Sequence, residues 1–209
     1  MSLITMAYGV DSFQVSSRVS LDEPAFDVVA NVPAGATKEQ FRVMLQNLLA
    51  ERFALKTHME SRDFPAYELV AAKGGLKMKE AVPGEPPSAP HGDGWPPLRP
   101  DRPDIASGMS GSAGYILIRL RSQLEPISVL AGMLASPGDP PIVDKTGLTG
   151  KYSFNLEYTK DSRGPVPDVP PVAPDLNTAL GQLGLQIVPK KLPFDVVVVD
   201  SFNRLPTEN

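Results

Sequence analysis

Hydrophobic side chains recur along the chain with two spacings, and these predict short helices that alternate with strands. Spacings of three and four residues are typical of a helix with one buried face. They predict helices over residues 3–8, 37–51, 126–134 and 175–183. Runs rich in β-branched and aromatic residues, bounded by turn residues, predict strands. These runs are 12–16, 26–32, 53–58, 66–72, 115–121, two within 141–158, 185–188 and 194–201.

The ends of two helices are marked by residues that satisfy free backbone groups. Thr37 and Gln40 form a capping box, in which each side chain accepts a hydrogen bond from the backbone N–H of the other residue. Asp175 is a favourable first cap for the last helix, and Gly184 is a favourable residue after its end. The sequence therefore indicates where these two helices begin and where the second one ends.

Two prolines separate neighbouring strands. Pro65 lies just before 66–72 and follows 53–58, and Pro193 lies between 185–188 and 194–201. Proline has no backbone N–H to donate to a sheet, so it is typical of turns and strand ends. We therefore predict that each pair of strands forms a hairpin.

The predicted elements follow the same order on either side of a proline- and glycine-rich segment, 76–114, which we interpret as a mostly irregular linker. That order is β-α-β-β-α-β-β, with the opening strand absent from the first set, as a trimmed start would produce. We predict an α+β fold of two tandem copies of this unit, with helices packed on one face of the sheets. The copies occupy 1–75 and 115–209, and whether they share one sheet stays open.

Composition excludes several classes of function. The chain has 209 residues, and its hydrophobic fraction of 42% is enough for a sizeable core. A net charge of −4 leaves no positive surplus to neutralise phosphates, so nucleic acid is not an expected partner. The absence of cysteine excludes disulfides, thiol nucleophiles and thiolate metal sites. No apolar run approaches the roughly 18 residues of a membrane-spanning helix.

The sequence contains no recognisable catalytic or metal-binding pattern. His58 falls in a strand and His91 in the linker, and neither has ligands spaced for a metal site. The glycine-rich segment 108–114 matches neither a nucleophile elbow nor a phosphate loop nor a dinucleotide-binding turn. We therefore predict no catalytic residue, no metal and no cofactor, and we interpret His58 as a structural strand residue.

Three short sites are candidates for binding a ligand or partner. They comprise Asp144, Lys145, Thr146, Arg119, Arg121 and Trp95. The first three lie at a strand end, where polar side chains face a ligand or simply close a turn. The two arginines alternate on one strand face, which suits either an anion or an ordinary exposed sheet. The tryptophan lies among prolines in the linker, where it contacts a partner or covers the domain's own surface.

The segment Val-Asp-Lys-Thr-Gly-Leu-Thr-Gly-Lys-Tyr at 143–152 resembles the signature of a large uncharacterised family abundant in soil Acidobacteria of the Solibacter type. The resemblance extends to 7–10, 26–30, 44–53, 67–75 and 206–209, and so covers nearly the whole chain. It implies a periplasmic or secreted domain, often behind a signal peptide and sometimes fused to beta-lactam-receptor-like membrane peptidases. It supplies no catalytic residues.

The order of the predicted elements is also similar to that of the short N-terminal domain of secretins and TonB-dependent transducers, which is an analogy of fold alone. Our first hypothesis is a non-enzymatic, envelope-associated domain that binds a protein or ligand, since its sheet edges offer sites for strand addition. A hydrolase that uses Asp, Glu, Lys or Ser side chains between the two copies is the first alternative. A small-molecule sensor with an apolar pocket is the second.

Overall fold

The computed structural model describes residues 3–18, 21, 26, 28–85, 89–99, 103–112, 114–136, 138–161 and 170–207. Within them the chain forms helices and strands in mixed order, which confirms the predicted α+β class. The helices are α1 (Leu3–Tyr8), α2 (Lys38–Phe53), α3 (Ile127–Leu134) and α4 (Leu176–Leu183). The strands are β1 (Val15–Ser17), β2 (Lys56–Ala71), β3 (Asp104–Ser112), β4 (Tyr115–Pro126), β5 (Ile142–Asp144), β6 (Lys151–Asp161) and β7 (Leu185–Ser201).

The strands form two sheets. The four-stranded sheet has the order β1-β7-β2-β5, with β1 parallel to β7 and β5 parallel to β2. The three-stranded sheet has the order β3-β4-β6 and is antiparallel throughout. The predicted strand pair within 141–158 is therefore divided, because β5 belongs to one sheet and β6 to the other.

Contacts group the chain into two compact units, Met1–Phe64 with Leu192–Asn209, and Pro65–Lys191. In the first unit α1 and α2 pack against the end of β7, and the buried core consists of Ile4, Ala7, Leu45, Leu49, Val197 and Val199. In the second unit α3 and α4 contribute to one core with the three-stranded sheet. This division differs from the predicted 1–75, 76–114 and 115–209, since the first unit combines both ends of the sequence.

The two predicted hairpins are wrong. β2 continues through Pro65 and β7 continues through Pro193, so each is a single strand of 16 or 17 residues. The two strands are neighbours in the sheet, and as β2 advances from His58 to Phe64 its contacts in β7 run backwards from Asp200 to Phe194. Proline's fixed φ fits an extended strand, and each long strand finds its partner far away in sequence rather than beyond a turn.

One other strand prediction fails, and part of the predicted linker proves to be a strand. The described part of 26–32 forms no strand, although its residues favour one. Phe26 packs its ring on Phe53 and Val29 is 97% exposed, so this segment gains neither sheet pairing nor full burial. In contrast, the predicted linker contains β3, whose small residues pair with β4 at every position. Tertiary pairing overrides local strand preference in both cases.

The helix caps are confirmed. Thr37 Oγ1 accepts from the Gln40 N–H at 3.2 Å, and Gln40 Oε1 accepts from the Thr37 N–H at 2.8 Å. Asp175 accepts hydrogen bonds from two backbone N–H groups at the start of α4. α2 and α4 both end in a residue with left-handed backbone conformation, Ala54 and Gly184 respectively. Each of these helices leads directly into one of the two long strands.

The two halves of the sequence have similar but not identical orders of elements, and their strands pair with each other. Among the described residues the order is α1-β1-α2-β2 in the first half and, after β4, α3-β5-β6-α4-β7 in the second, so β6 has no counterpart in the first half. β1 pairs with β7 of the second half, and β5 pairs with β2 of the first. Strands from both predicted copies therefore lie in the four-stranded sheet, which answers the point that the sequence left open.

Candidate functional site

Strand β4 carries the two candidate arginines on the face of the three-stranded sheet that is turned away from the core. Ile118 and Leu120 point into the core of the second unit, where they are 9% and 2% exposed. Side chains alternate along a strand, so Arg119 and Arg121 lie together on the opposite face, here called the outer face. The predicted alternation of these two residues is thus what places them side by side.

Each arginine is the middle member of a row of three cross-strand neighbours on the outer face. Gly108 of β3, Arg119 and Glu157 of β6 form the first row, and Ala106, Arg121 and Asn155 form the second. Cross-strand neighbours lie close enough for their side chains to interact. In both rows the β3 member, Gly108 or Ala106, is a small residue.

Arg119 is fully engaged by its surroundings. Its Nε donates to Glu157 Oε2 at 2.5 Å, and its Nη1 donates to the backbone carbonyl of Asp93 at 2.8 Å. Its guanidinium carbon lies 5.4 Å from the centre of the Trp95 ring, a distance typical of a cation–π contact. Among the predicted site residues, Trp95 and Arg119 are therefore brought together.

The segment that carries Trp95 lies on the outer face and packs closely there. Gly94 has a left-handed φ of 82°, and a Cβ atom on it would lie 2.6 Å from Arg119 Nη1, so the end of the arginine side chain would have to shift. The Trp95 Nε1–H donates to the carbonyl of His91 at 3.0 Å, which fixes the ring within its own segment. The Pro96 ring approaches Gly108 to ordinary contact distance. The tryptophan thus lies partly buried against the domain's own surface, and contact with a partner stays a prediction.

Arg121 has a different environment from Arg119. Its side chain is half-buried, and its Nε is shielded from solvent with no hydrogen-bond partner. Within the described residues its guanidinium makes no hydrogen bond or ion pair. A buried polar group without a partner costs about 1–3 kcal/mol, and more when it is charged. Arg121 is therefore a cation whose hydrogen-bonding capacity the fold leaves unused.

A β-bulge interrupts β4 immediately after this arginine. The pairing of β4 with β6 shifts between Ser122 and Glu125. Within the shift Leu124 has a left-handed φ of 55°, and its N–H donates to Ser153 Oγ at 3.3 Å. Leucine avoids this conformation, so the surrounding pairing has to impose it. Bulges change the direction of nearby side chains and are frequent next to binding sites.

A family model described as "Protein of unknown function (DUF3738)" matches residues 1–202. The chain belongs to this family. No curated protein and no solved structure matches the sequence. The geometry of the DUF3738 chain is thus the basis for assigning a role to its residues.

The predicted site at Asp144, Lys145 and Thr146 is a closed turn in this DUF3738 protein. Asp144 Oδ1 accepts from the Thr146 N–H at 2.9 Å and from its hydroxyl at 2.7 Å. Thr146 Oγ1 in turn accepts from the Leu148 N–H at 3.2 Å. These bonds hold Asp144 and Thr146 within the turn, Lys145 is exposed, and none of the three joins Arg119, Arg121 or Trp95 among the described residues. Ligand or partner binding by this turn stays a prediction.

The first unit contains a polar cluster on β2 and β7 that sequence reasoning missed. His58 Nδ1 lies 2.9 Å from Asp200 Oδ1, and His58 Nε2 lies 3.1 Å from Glu60 Oε1. Arg62 also contacts Glu60, with a nitrogen–oxygen distance of 2.7 Å, and donates to Ser16 Oγ at 3.0 Å. The alternation of His58, Glu60 and Arg62 was a visible signal, but the predicted hairpin hid the pairing of β2 with β7.

The hydrogen bond that the His58 ring makes to the Asp200 carboxylate raises the pKa of His58 most, and the one to the Glu60 carboxylate raises it next. The same contact with His58, followed by that with Arg62, lowers the pKa of Glu60. Both ring nitrogens of His58 have partners, as expected of a structural strand histidine. Across the described ranges, no three His, Cys, Asp or Glu side chains are placed to hold a metal ion. The same residues include no helix long and apolar enough to cross a membrane.

Proposed function

We propose that this DUF3738 chain is a non-enzymatic interaction domain that binds an extended protein segment by strand addition at β3. The observation that carries the proposal is the position of β3. It pairs with β4 along all nine of its residues and, within the described ranges, is the terminal strand of its sheet. With respect to those residues its second side therefore presents a row of backbone N–H and C=O groups, the template used in strand addition.

The sequence of β3 supports this role. From Ile105 to Ser112 it contains no charged residue and no proline, and its pairing with β4 has no register shift. Charges, prolines and bulges are the devices that protect a sheet edge from unwanted pairing. Met109 is 76% exposed near the end of the strand, which adds an apolar contact for an incoming chain. β3 thus has the features of an edge available for pairing.

Peptide selection with paired proline variants tests the proposal. A displayed library of random 12-residue peptides is selected against the full chain, and the binders are tested on Met109→Pro and Ser110→Pro variants. In an antiparallel pair, neighbouring residues point their N–H groups to opposite sides. One variant therefore loses a bond to β4 and the other loses only an edge-facing N–H. Measuring the unfolding free energy of both variants identifies which is which.

The variant that keeps its stability is the informative one. We expect it to lose peptide binding by about tenfold or more, because an added strand needs that N–H. Selected peptides that bind this variant as well as the parent would refute strand addition at β3. A stable dimer in light scattering that dissociates in the same variant would instead assign the edge to a second copy of the chain, and would overturn the proposal of a separate partner.

We further propose that the domain acts in the cell envelope of soil Acidobacteria. The support is the resemblance of 143–152 to the signature of the Solibacter-type family and the similarity of element order to the short domains of secretins and TonB-dependent transducers. Fractionation of cells that make the native gene product tests the location. Recovery with periplasmic or secreted markers is expected, and recovery with a cytoplasmic marker would exclude it.

A further inference from the structure

An incoming strand at β3 would extend the two rows of the outer face by one residue. In the second row the new residue would be a neighbour of Ala106, and Arg121 would follow it one strand further in. Neighbouring strands lie about 4.8 Å apart, so the backbone of the incoming strand would lie roughly 10 Å from that of β4, with Ala106 of β3 between them. The alanine side chain is a single methyl group. A long side chain on the new strand and the arginine therefore meet above it.

We propose that the segment bound at β3 carries an aspartate or glutamate in the row of Ala106, and that Arg121 binds its carboxylate. This inference rests on the strand addition proposed above. It assigns the chemistry of one position of the partner, and it gives a role to the guanidinium that the described residues leave unpaired. A guanidinium offers two parallel N–H groups to a carboxylate, a geometry that a lysine lacks.

The neighbouring row explains why Arg121, and not Arg119, is the residue that recognises the partner. Arg119 is already bound by Glu157 and stacked against Trp95. The Pro96 ring occupies the space above Gly108, the β3 member of that row. An acidic side chain arriving there would meet a satisfied arginine and an occupied surface. The partner is thus expected to need one acidic residue at one position, rather than general negative charge.

The burial of Arg121 supports an energetic advantage for this contact. Its Nε is shielded from solvent, and its cross-strand neighbours Ala106 and Asn155 carry no charge. A charge pair in such a place is screened much less by salt than a pair on the open surface. The shielded Nε is not within reach of a partner, so the carboxylate would bind the terminal nitrogens of the same guanidinium and partner its charge. Affinity and selectivity would therefore come from the same residue.

The experiment uses the β3-dependent peptides from the library selection. We expect an aspartate or glutamate to be enriched at one position. A synthetic binder and its matched Glu→Gln or Asp→Asn form are then measured against the parent chain, Arg121→Met, Arg121→Lys and Lys151→Met. The last variant is the control, since it removes one exposed positive charge from β6 of the same sheet. Thermal unfolding confirms that each variant is folded.

The expected result is a coupled loss. Arg121→Met and the neutral peptide each weaken binding by about tenfold to a hundredfold, and together they weaken it no further. Arg121→Lys restores part of the affinity, and Lys151→Met has little effect. Peptides that depend on β3 but show no acidic enrichment, or that lose affinity equally with and without Arg121, would overturn this inference and leave strand addition intact. If no selected peptide loses affinity in the stable proline variant of β3, strand addition itself is refuted.

Discussion

His58 of β2 and Asp200 of β7 are joined by a 2.9 Å contact between the imidazole Nδ1 and a carboxylate oxygen, although 142 residues separate them in sequence. The histidine ring also contacts Glu60, so one protonated imidazole would bridge two carboxylates. We therefore expect the pairing of β2 with β7 to be sensitive to pH.

We predict that the contribution of His58 to stability falls as the pH rises. Its pKa in the folded chain is raised above 6.5, so the contribution is fully present below pH 6.5 and is lost as the pH passes through the folded-state pKa. The lowered pKa of Glu60 acts oppositely, and its contribution is lost as the pH falls below 4.5. Denaturant unfolding of the parent and His58→Gln should therefore differ more at pH 5.5 than at pH 8.5.

Asp200→Asn is the matched variant for this measurement, because it removes the partner that raises the histidine pKa most. It should reduce the pH dependence while leaving the imidazole in place. A stability difference between parent and His58→Gln that is the same at both pH values would contradict the prediction. The cluster is half exposed, with 48% of the His58 side chain accessible, so salt should weaken the effect.

The residues after α2 and α4 both have a left-handed backbone conformation. Exchanging glycine and alanine at these two positions should therefore change the stability of the chain in opposite directions. Ala54 is exposed and has a φ of 46°, so Ala54→Gly should stabilise the chain by about 0.5–1 kcal/mol. Gly184→Ala should destabilise it by about 2–4 kcal/mol, because its Cβ would lie 2.2 Å from the Gly75 carbonyl oxygen. Chemical denaturation of both variants measures the two signs. A loss of stability in Ala54→Gly would argue against the left-handed cap.

Core and surface substitutions test the strand assignments. Leu69 of β2 is fully buried, and Leu69→Ala should cost about 2–5 kcal/mol through lost burial and a residual cavity. Val29 belongs to the segment that was predicted as a strand but is 97% exposed. Val29→Ala should therefore change the unfolding free energy by less than about 0.5 kcal/mol. A large effect of Val29→Ala would contradict the exposed position of Val29.

The turn after β5 predicts a structural effect without a binding effect. Asp144→Ala removes the acceptor for the Thr146 N–H and hydroxyl, and should destabilise the chain by about 1–2 kcal/mol. Lys145→Ala is the control, since that side chain is exposed and should contribute little. Binding of β3-dependent peptides should be unchanged in both variants. Reduced peptide affinity of a folded Lys145→Ala variant would show that this turn takes part in binding and would contradict the prediction.

Local signals in the sequence predict the helices well, because the information lies within a few residues. The capping box at Thr37 and the cap at Asp175 are examples, and both act on neighbouring backbone groups. The two long strands escaped prediction because their partners lie far away in the sequence. Proline at 65 and 193 signals a turn when only local preference is considered, yet distant pairing holds both strands extended.

The candidate site could likewise be predicted only where it depends on residues that are close in sequence. Alternation along β4 is sufficient to place Arg119 and Arg121 on one face. It does not distinguish them, because the difference comes from Glu157 of β6 and from the segment that carries Trp95. The sequence also does not predict β3 as an edge strand, because its small residues are typical of a linker and its strand conformation depends on pairing with β4.

The parallel pairing of Val15–Ser17 with Val197–Val199 has a consequence for synthesis on the ribosome. The first residues of the chain emerge long before the strand that completes their unit, and the whole of Pro65–Lys191 is made in between. The inserted unit is continuous in sequence and can acquire its core first. Strand β1 must then stay unpaired until β7 has been made, and an unpaired strand in an incomplete chain is a target for chaperone binding.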